Sequence, residues 1–291
     1  MFLTVQGGIL KPFAVILGYI MEGIFWLLDK ITGGNPNTGL TIIIFTIVVY
    51  VLMLPLTIKQ QKFSKLSAKM NPELQVIQNK YKGKSDQDSM MKMQQETQMV
   101  YTKYGVSPSG SCLQLLIQMP ILFALYRVIY NMPAYVGKIR DAFEPLVTNL
   151  VAKEGSTEFI QSLSSAAYYS KQFKNEFFGA TTIESGVEYT KNTFIDVLNR
   201  ASTAEWMSVT EKYGDLTADV NNTLTLLDKY NNFMGLNIAN SPSYTISAEW
   251  AADEKNWAVI IGVLLIPVLS ALTQWINTKL MPQQESNKKN D

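Results

Sequence analysis

Three pairs of polar side chains stand four residues apart inside otherwise apolar runs: Thr46 with Tyr50, Gln114 with Gln118, and Ser270 with Gln274. A spacing of four places both members of a pair on one face of a helix. Hydroxyls and amides donate and accept hydrogen bonds without titrating near neutrality, so the chemistry they suit is solvation rather than bond breaking. An amide facing lipid costs on the order of several kcal/mol, so these groups should face one another or water. Two arrangements satisfy that demand. In one, the side chains bond across a tight helical bundle and glue it together. In the other, they line a hydrated groove that solvates polar segments of another polypeptide.

Other chemistry has little to work with. The chain has no histidine, the commonest general base and metal ligand, and its one cysteine, Cys112, forms neither an internal disulfide nor a CxxC site. No glycine loop for phosphate and no nucleophile elbow is present. The expectation is a non-enzyme with no cofactor and no metal.

The elements that must position the polar pairs are membrane spans. Gly39 to Ile58 and Trp257 to Asn277 carry no charge, and Leu113 to Val136 carries only Arg127. Each is long enough to cross a hydrocarbon core of roughly 30 Å as a helix. The expected fold is an all-α membrane protein with spans at 37–58, 110–136 and 257–279. Pro55, Pro120 and Pro267 put one proline in or at the end of each, where it permits a kink. Arg127 falls in the outer half of the second span, a functional candidate by position, with snorkelling toward the outer headgroups as the plainer reading.

Charge orients the spans. Residues 59–106 hold nine lysines against four carboxylates, whereas 137–256 hold ten basic and sixteen acidic residues. Short basic loops stay in the cytoplasm, so the first segment and the tail at 280–291 are expected inside and the acidic segment outside. Tyr50, Gln114, Gln118 and Gln274 then lie in the cytoplasmic half of the bilayer. Residues 9–31, broken by Lys11, Glu22 and Asp29, fit an interfacial amphipathic helix better than a span or a signal peptide. Gly33 to Asn37 reads as the turn into the first span.

The 59–109 segment reads as two helices joined at Gly83-Lys84-Ser85-Asp86, with Leu66, Met70, Leu74 and Ile77 on one stripe and Met90, Met93, Met99 and Tyr101 on the other. These stripes either zip the hairpin or present a methionine-rich surface to apolar partners. Lys59, Lys62, Lys65, Met90 and Met93 are the candidate contacts for a second polypeptide. In 137–256, Phe159 with Leu163, Phe194 with Val197 and Leu198, and Leu224 with Leu226 and Leu227 suggest short helices and no strands.

Several motifs resemble the YidC family of membrane protein insertases. Leu54-Pro55-Leu56-Thr57-Ile58-Lys59-Gln60-Gln61 is similar to the end of its first conserved span. Met70-Asn71-Pro72-Glu73-Leu74-Gln75 and Tyr104-Gly105-Val106-Ser107-Pro108 resemble its cytoplasmic hairpin. Gly110 through Pro120 is close to the pattern GGC-x-P-LLIQMP of its second conserved span, and Phe233-Met234-Gly235-Leu236-Asn237 resembles the approach to the next one. The form without a large domain ahead of the first conserved span is similar to that of Gram-positive, clostridium-like bacteria.

The resemblance implies an insertase and chaperone in the bacterial plasma membrane. Nascent membrane proteins would be its clients, the lipid bilayer their destination, and the Sec translocon and the ribosome its partners, with no nucleic acid substrate. Gln118 and Gln274 match groove-facing positions of the family. Its groove arginine lies five residues before the span-ending proline, where this chain has Tyr50, so charge for capturing acidic clients is expected from the hairpin lysines or Arg127. The family continues with two more membrane helices, which the present chain is expected to lack. A membrane-anchored scaffold acting through 137–256 is the alternative function. A channel or transporter subunit is disfavoured, because no paired intramembrane charges occur.

Overall fold

A 43-residue helix, α2 (Thr38–Lys80), runs without a break through Pro55 and Pro72. At 1.5 Å per residue it is about 65 Å long, more than twice the roughly 30 Å of a hydrocarbon core. The first span and the first arm of the hairpin, expected as separate elements, are therefore one rod. The computed structural model describes residues 10–84, 86–105, 110–180 and 184–280, apart from the side chains at 60, 64, 68, 110–115 and 117. Within these residues the chain is all-α, with one minimal strand pair.

The fold divides into two units, residues 1–47 with 120–245 and residues 48–119 with 246–291. In the first unit, α1 (Lys11–Ile31) has Pro12 in its first turn and buries Ala14, Leu17, Gly18, Met21, Phe25 and Leu28 along one face. Gly18 is required there, because a Cβ would lie 2.3 Å from the ring of Tyr135. The two carboxylates that interrupt the apolar run are both engaged by the start of α5 (Gly137–Val151): Glu22 accepts the Gly137 N–H at 3.1 Å, and Asp29 pairs with Lys138. A carboxylate at a helix N-terminus is favoured by the helix dipole. The opposite face exposes Ile16, Tyr19, Trp26 and Leu27, as an apolar surface in lipid would. Length and apolarity would let α1 cross a membrane, as they would residues 38–67 of α2 and the helix 257–280.

The second half of α4 (Gly110–Tyr130) enters the first unit and ends in a tight turn, Met132–Ala134, whose three residues are buried. From here α5 forms the centre of the region 137–231, burying Ile139, Ala142, Phe143, Leu146, Val147 and Leu150 at helical spacing. Around it pack α6 (Ser156–Ser162), the short α7 (Ser170–Phe173), α8 (Glu184–Leu198), α9 (Thr203–Lys212) and α10 (Thr217–Asn231). Short helices expected around Phe159, Phe194 and Leu224 are all present. Ser202 and Glu205 close a capping box on α9, and Glu205 also accepts the Ser165 N–H at 2.9 Å, tying two elements through one side chain. The Thr223 hydroxyl donates to the buried Ala142 carbonyl at 3.0 Å.

The 137–256 segment is helical apart from one minimal pair of strands, β1 (Asn232–Phe233) and β2 (Leu236–Asn237), paired antiparallel. Two residues per strand are too few to leave an alternating pattern in the sequence. The turn between them puts both Met234 (φ 53°) and Gly235 (φ 84°) in left-handed conformations, the geometry of the tightest hairpins. The hairpin presses Phe233 onto the first turn of α2, where a Cβ at Gly39 would lie 2.6 Å from the ring. Asn37 completes the joint, accepting the Leu40 N–H at 3.0 Å and donating to the Asn232 carbonyl at 2.5 Å.

In the second unit, α11 (Pro242–Ala251) leads to α12 (Trp257–Leu280). Beyond Ile260 and Val263, α12 is exposed on all sides and mostly apolar, with Ser270 and Gln274 among its exposed residues. Trp250 meets Trp257 edge-on at one end, and Lys279 lies over Trp275 at the other. The eighteen steps from Trp257 to Trp275 span about 27 Å, which matches aromatic anchors at two membrane interfaces.

Phe143 is fully buried and stacks on Trp206 with ring centroids 6.4 Å apart. Phe143→Ala should destabilise the region around α5 by about 3–5 kcal/mol. Near-ultraviolet circular dichroism of the full chain in detergent, followed against temperature, checks this through an earlier loss of the Trp206 signal.

Candidate functional site

The polar positions expected to line a groove fall largely in the second unit. Tyr50 on α2 is 69% exposed, and Gln118 on α4 and Ser270 and Gln274 on α12 are exposed as well. Among the described residues no hydrogen bond joins any two of these four. Thr46 belongs to the first unit and turns its hydroxyl back to the Ile42 carbonyl at 2.7 Å. The backbone of Gln114 is helical, but its side chain lies outside the described residues, as does that of Cys112. Residues 106–109, which include Val106, Ser107 and Pro108, lie outside them too.

The hairpin is held by more than its apolar stripes. Met70, Ile77, Tyr81 and Val100 are buried between α2 and α3 (Gln87–Lys103), with Leu74, Met93, Tyr101 and Tyr104 packed against them. Met93 thus belongs to the zipper, while Met90 and Met99 stay exposed, as do Lys59, Lys62 and Lys65. The turn is set by Gly83 (φ 83°) and by Asp86, whose carboxylate caps α3 at the Ser89 N–H, 2.9 Å away.

Two matching clamps close the antiparallel pair. Glu96 of α3 accepts from Lys80 at 2.5 Å and from the Tyr81 hydroxyl at 2.9 Å. Glu73 of α2 accepts from Lys103 at 2.8 Å and from the Tyr104 hydroxyl at 2.7 Å. The sequence carries the signal, which reading each helix alone misses: both arms contain Glu followed seven and eight residues later by Lys and Tyr. Antiparallel packing sets each glutamate beside the Lys-Tyr pair of the other arm. The lysine and tyrosine donors hold both carboxyls below their ordinary value of 4.5.

Arg127 is half-buried and turned toward the region around α5. It hydrogen-bonds the Tyr135 phenol, and the carboxylate of Asp196, 2% exposed, is close enough for its charge to act on the same phenol. Nearby, burial first and Asp196 second push the Tyr169 hydroxyl up to about 12, so it remains a neutral donor at any physiological pH. It donates to the Asn131 side-chain amide oxygen, 3.5 Å away, and accepts from the Arg200 guanidinium. Asp196 was not singled out from sequence, because nothing in its local pattern marks it as buried.

The hairpin, the exposed polar positions and the Phe233–Asn237 turn can now be set beside known proteins. A family model described as 60Kd inner membrane protein matches residues 27–291. The chain belongs to that family. Among curated relatives, Membrane protein insertase YidC of Oceanobacillus iheyensis is 44% identical over 109 residues, covering 37% of this chain and 43% of its own length. Membrane protein insertase MisCA of Bacillus subtilis is 41% identical over 116 residues, covering 40% and 43%. Membrane protein insertase YidC of Clostridium tetani is 35% identical over 137 residues, covering 46% and 60%. The matched part of the chain thus spans about half the length of these relatives. As a member of the 60Kd family with several long apolar helices, the chain is a multi-pass membrane protein.

The two clamps give the hairpin an acid limb. A carboxyl whose folded value is depressed contributes stability that is complete above its unfolded value and is lost as pH falls through the folded one. Hydrogen-exchange protection of residues 73–81 should therefore hold from neutrality down to about pH 5 and fall below it. Glu73→Gln with Glu96→Gln should flatten that limb, and an unchanged limb in the double variant would remove the clamps as its cause.

Proposed function

We propose that the chain is a membrane protein insertase and chaperone. It accepts polar ends of nascent membrane proteins on a hydrophilic surface open to the cytoplasm and releases their apolar segments into the bilayer, alone or beside the Sec translocon. The observation that carries this reading is the exposure of Tyr50, Gln118 and Gln274 among apolar side chains that are exposed too, such as Val51, Leu52, Met119, Leu272 and Trp275. Membership of a family whose curated relatives are named insertases supports it.

The energetics need no nucleotide. Moving a client's apolar segment from water into lipid is favourable by about 25 cal/mol per Å² of apolar surface, so a span-length segment supplies its own driving force. The barrier lies in the polar ends that must pass through hydrocarbon, each of which would lose its water partners. Side chains that hydrogen-bond without carrying charge lower that barrier and bind the client weakly enough to let it go. Tyr50 in place of a cation makes this chain less attractive to acidic client tails. Lys59, Lys62 and Lys65, exposed on the cytoplasmic continuation of α2, supply the first attraction. In this scheme Arg127 ties α4 to the outer region and does not meet the client. The basic hairpin and the tail lie inside, and 137–256 outside.

Expression of the chain in a bacterium depleted of its own insertase should restore insertion of single-span clients. The chain should be tried alone and with the two following helices of a relative appended. Failure of both forms, each present in the membrane at normal levels, would argue for the scaffold function. Tyr50→Arg should raise insertion of clients with acidic tails severalfold and leave neutral ones unchanged.

A further inference from the structure

A cleft with about 750 Å³ of space lies in the first unit, where α2 and α4 meet the region around α5. Thr38 and Ile42 contribute the first turns of α2, and Ile129 and Tyr130 the last turn of α4. The apolar run of α2 begins at Gly39, next to Thr38, so a bilayer whose hydrocarbon starts with that run would put the cleft at headgroup depth on whichever side it faces. One part of its lining is apolar, with Ile42, Ile129, Leu224 and Leu227; another carries Arg200 and Asn231.

Two lining residues have donors with no acceptor. Thr38 is 2% exposed, and its hydroxyl has no hydrogen-bond partner among the described residues. The Nε of Arg200 is buried and also lacks one. Buried donors in folded proteins are almost always bonded, so two at one cleft ask for an acceptor supplied from outside the chain. The guanidinium is permanently charged and can only donate. It is held in place by a hydrogen bond to the Tyr169 hydroxyl and by rings, its carbon lying 5.0 Å from the centroid of Tyr168, 5.5 Å from Tyr130 and 5.8 Å from Tyr169. The acidic side chain in the lining, Asp228, accepts from Asn237 at 2.8 Å.

We propose that this cleft is a phospholipid site. Arg200 and Thr38 bind the headgroup phosphate, and the acyl chains leave along Ile42 and Ile129 toward the bilayer. An anionic acceptor joined to apolar chains matches both parts of the lining, and phospholipid surrounds the cleft at that depth. The site is independent of client handling, which takes place on the second unit.

Native mass spectrometry of the full chain purified in mild detergent, followed by titration with dihexanoyl phosphatidylglycerol and separately with inorganic phosphate, tests the assignment. The wild type should retain one phospholipid and bind the short-chain lipid. Arg200→Gln should weaken that binding about tenfold or more, as loss of a charge-assisted phosphate contact does. Arg200→Lys should keep most of it. Ala201→Phe, which narrows the cleft without changing charge, should weaken it too and serves if Arg200→Gln fails to fold. Inorganic phosphate binding as tightly as the lipid would overturn the proposal in favour of a soluble-anion site. Lipid binding unaffected by Ala201→Phe and Arg200→Gln would overturn it outright, as would a cleft that takes no lipid but crosslinks to a translocated client.

Discussion

A chain inside hydrocarbon has no water to bond its backbone, so it must bond to itself, and α2 meets that demand for 43 residues. Both units use part of this helix. Its first turn is fixed by Asn37 and by Phe233 against Gly39, and its last turns form one arm of the clamped hairpin. The helix leaves the apolar run at Ile58 and continues directly into a lysine-bearing stretch without a loop to absorb motion. Pro55 and Pro72 remove backbone bonds without ending the helix, leaving sites where it bends at low cost.

The same scarcity of water gives the exposed polar side chains their meaning. On a soluble protein an exposed glutamine is unremarkable. On helices such as α12, whose surroundings are Leu264, Leu265, Ile266 and Leu272, an unbonded amide must find water or another polypeptide. The region around α5 uses the opposite strategy. Several of its polar groups are bonded in place, as Thr223 is to Ala142 and Glu205 is to Ser165, which builds a platform at the end of α4. Arg127 belongs to that platform through Tyr135.

The parts of the fold that follow a single period could be read from residue order. The apolar runs of α2 and α12, the short helices around Phe159, Phe194 and Leu224, and the hairpin turn at Gly83 all declare themselves locally. The continuity of α2 does not, because Pro55 and the switch from apolar to basic composition both read as a boundary although the backbone passes through. The strand pair at 232–237 is too short to have a period. The clamps depend on an antiparallel register, so Glu73 and Glu96 gain meaning only once both arms are seen together. Arg127 was legible as unusual, but its partners lie elsewhere in the chain, and Arg200 and Thr38 carry no local mark at all. Among the polar positions, the four-residue spacing found the residues. Spacing does not separate the proposed hydrated surface from interhelical glue; access of water to these side chains does.

That separation can be measured directly. With Cys112 replaced by serine, single cysteines at Gln118, Gln274 and the lipid-facing Leu265 can be treated with a membrane-impermeant maleimide in inside-out vesicles. A hydrated surface open to the cytoplasm predicts rapid labelling at positions 118 and 274 and none at 265. Silence at 118 and 274, with a cysteine at Lys62 in the hairpin labelling normally, would contradict it.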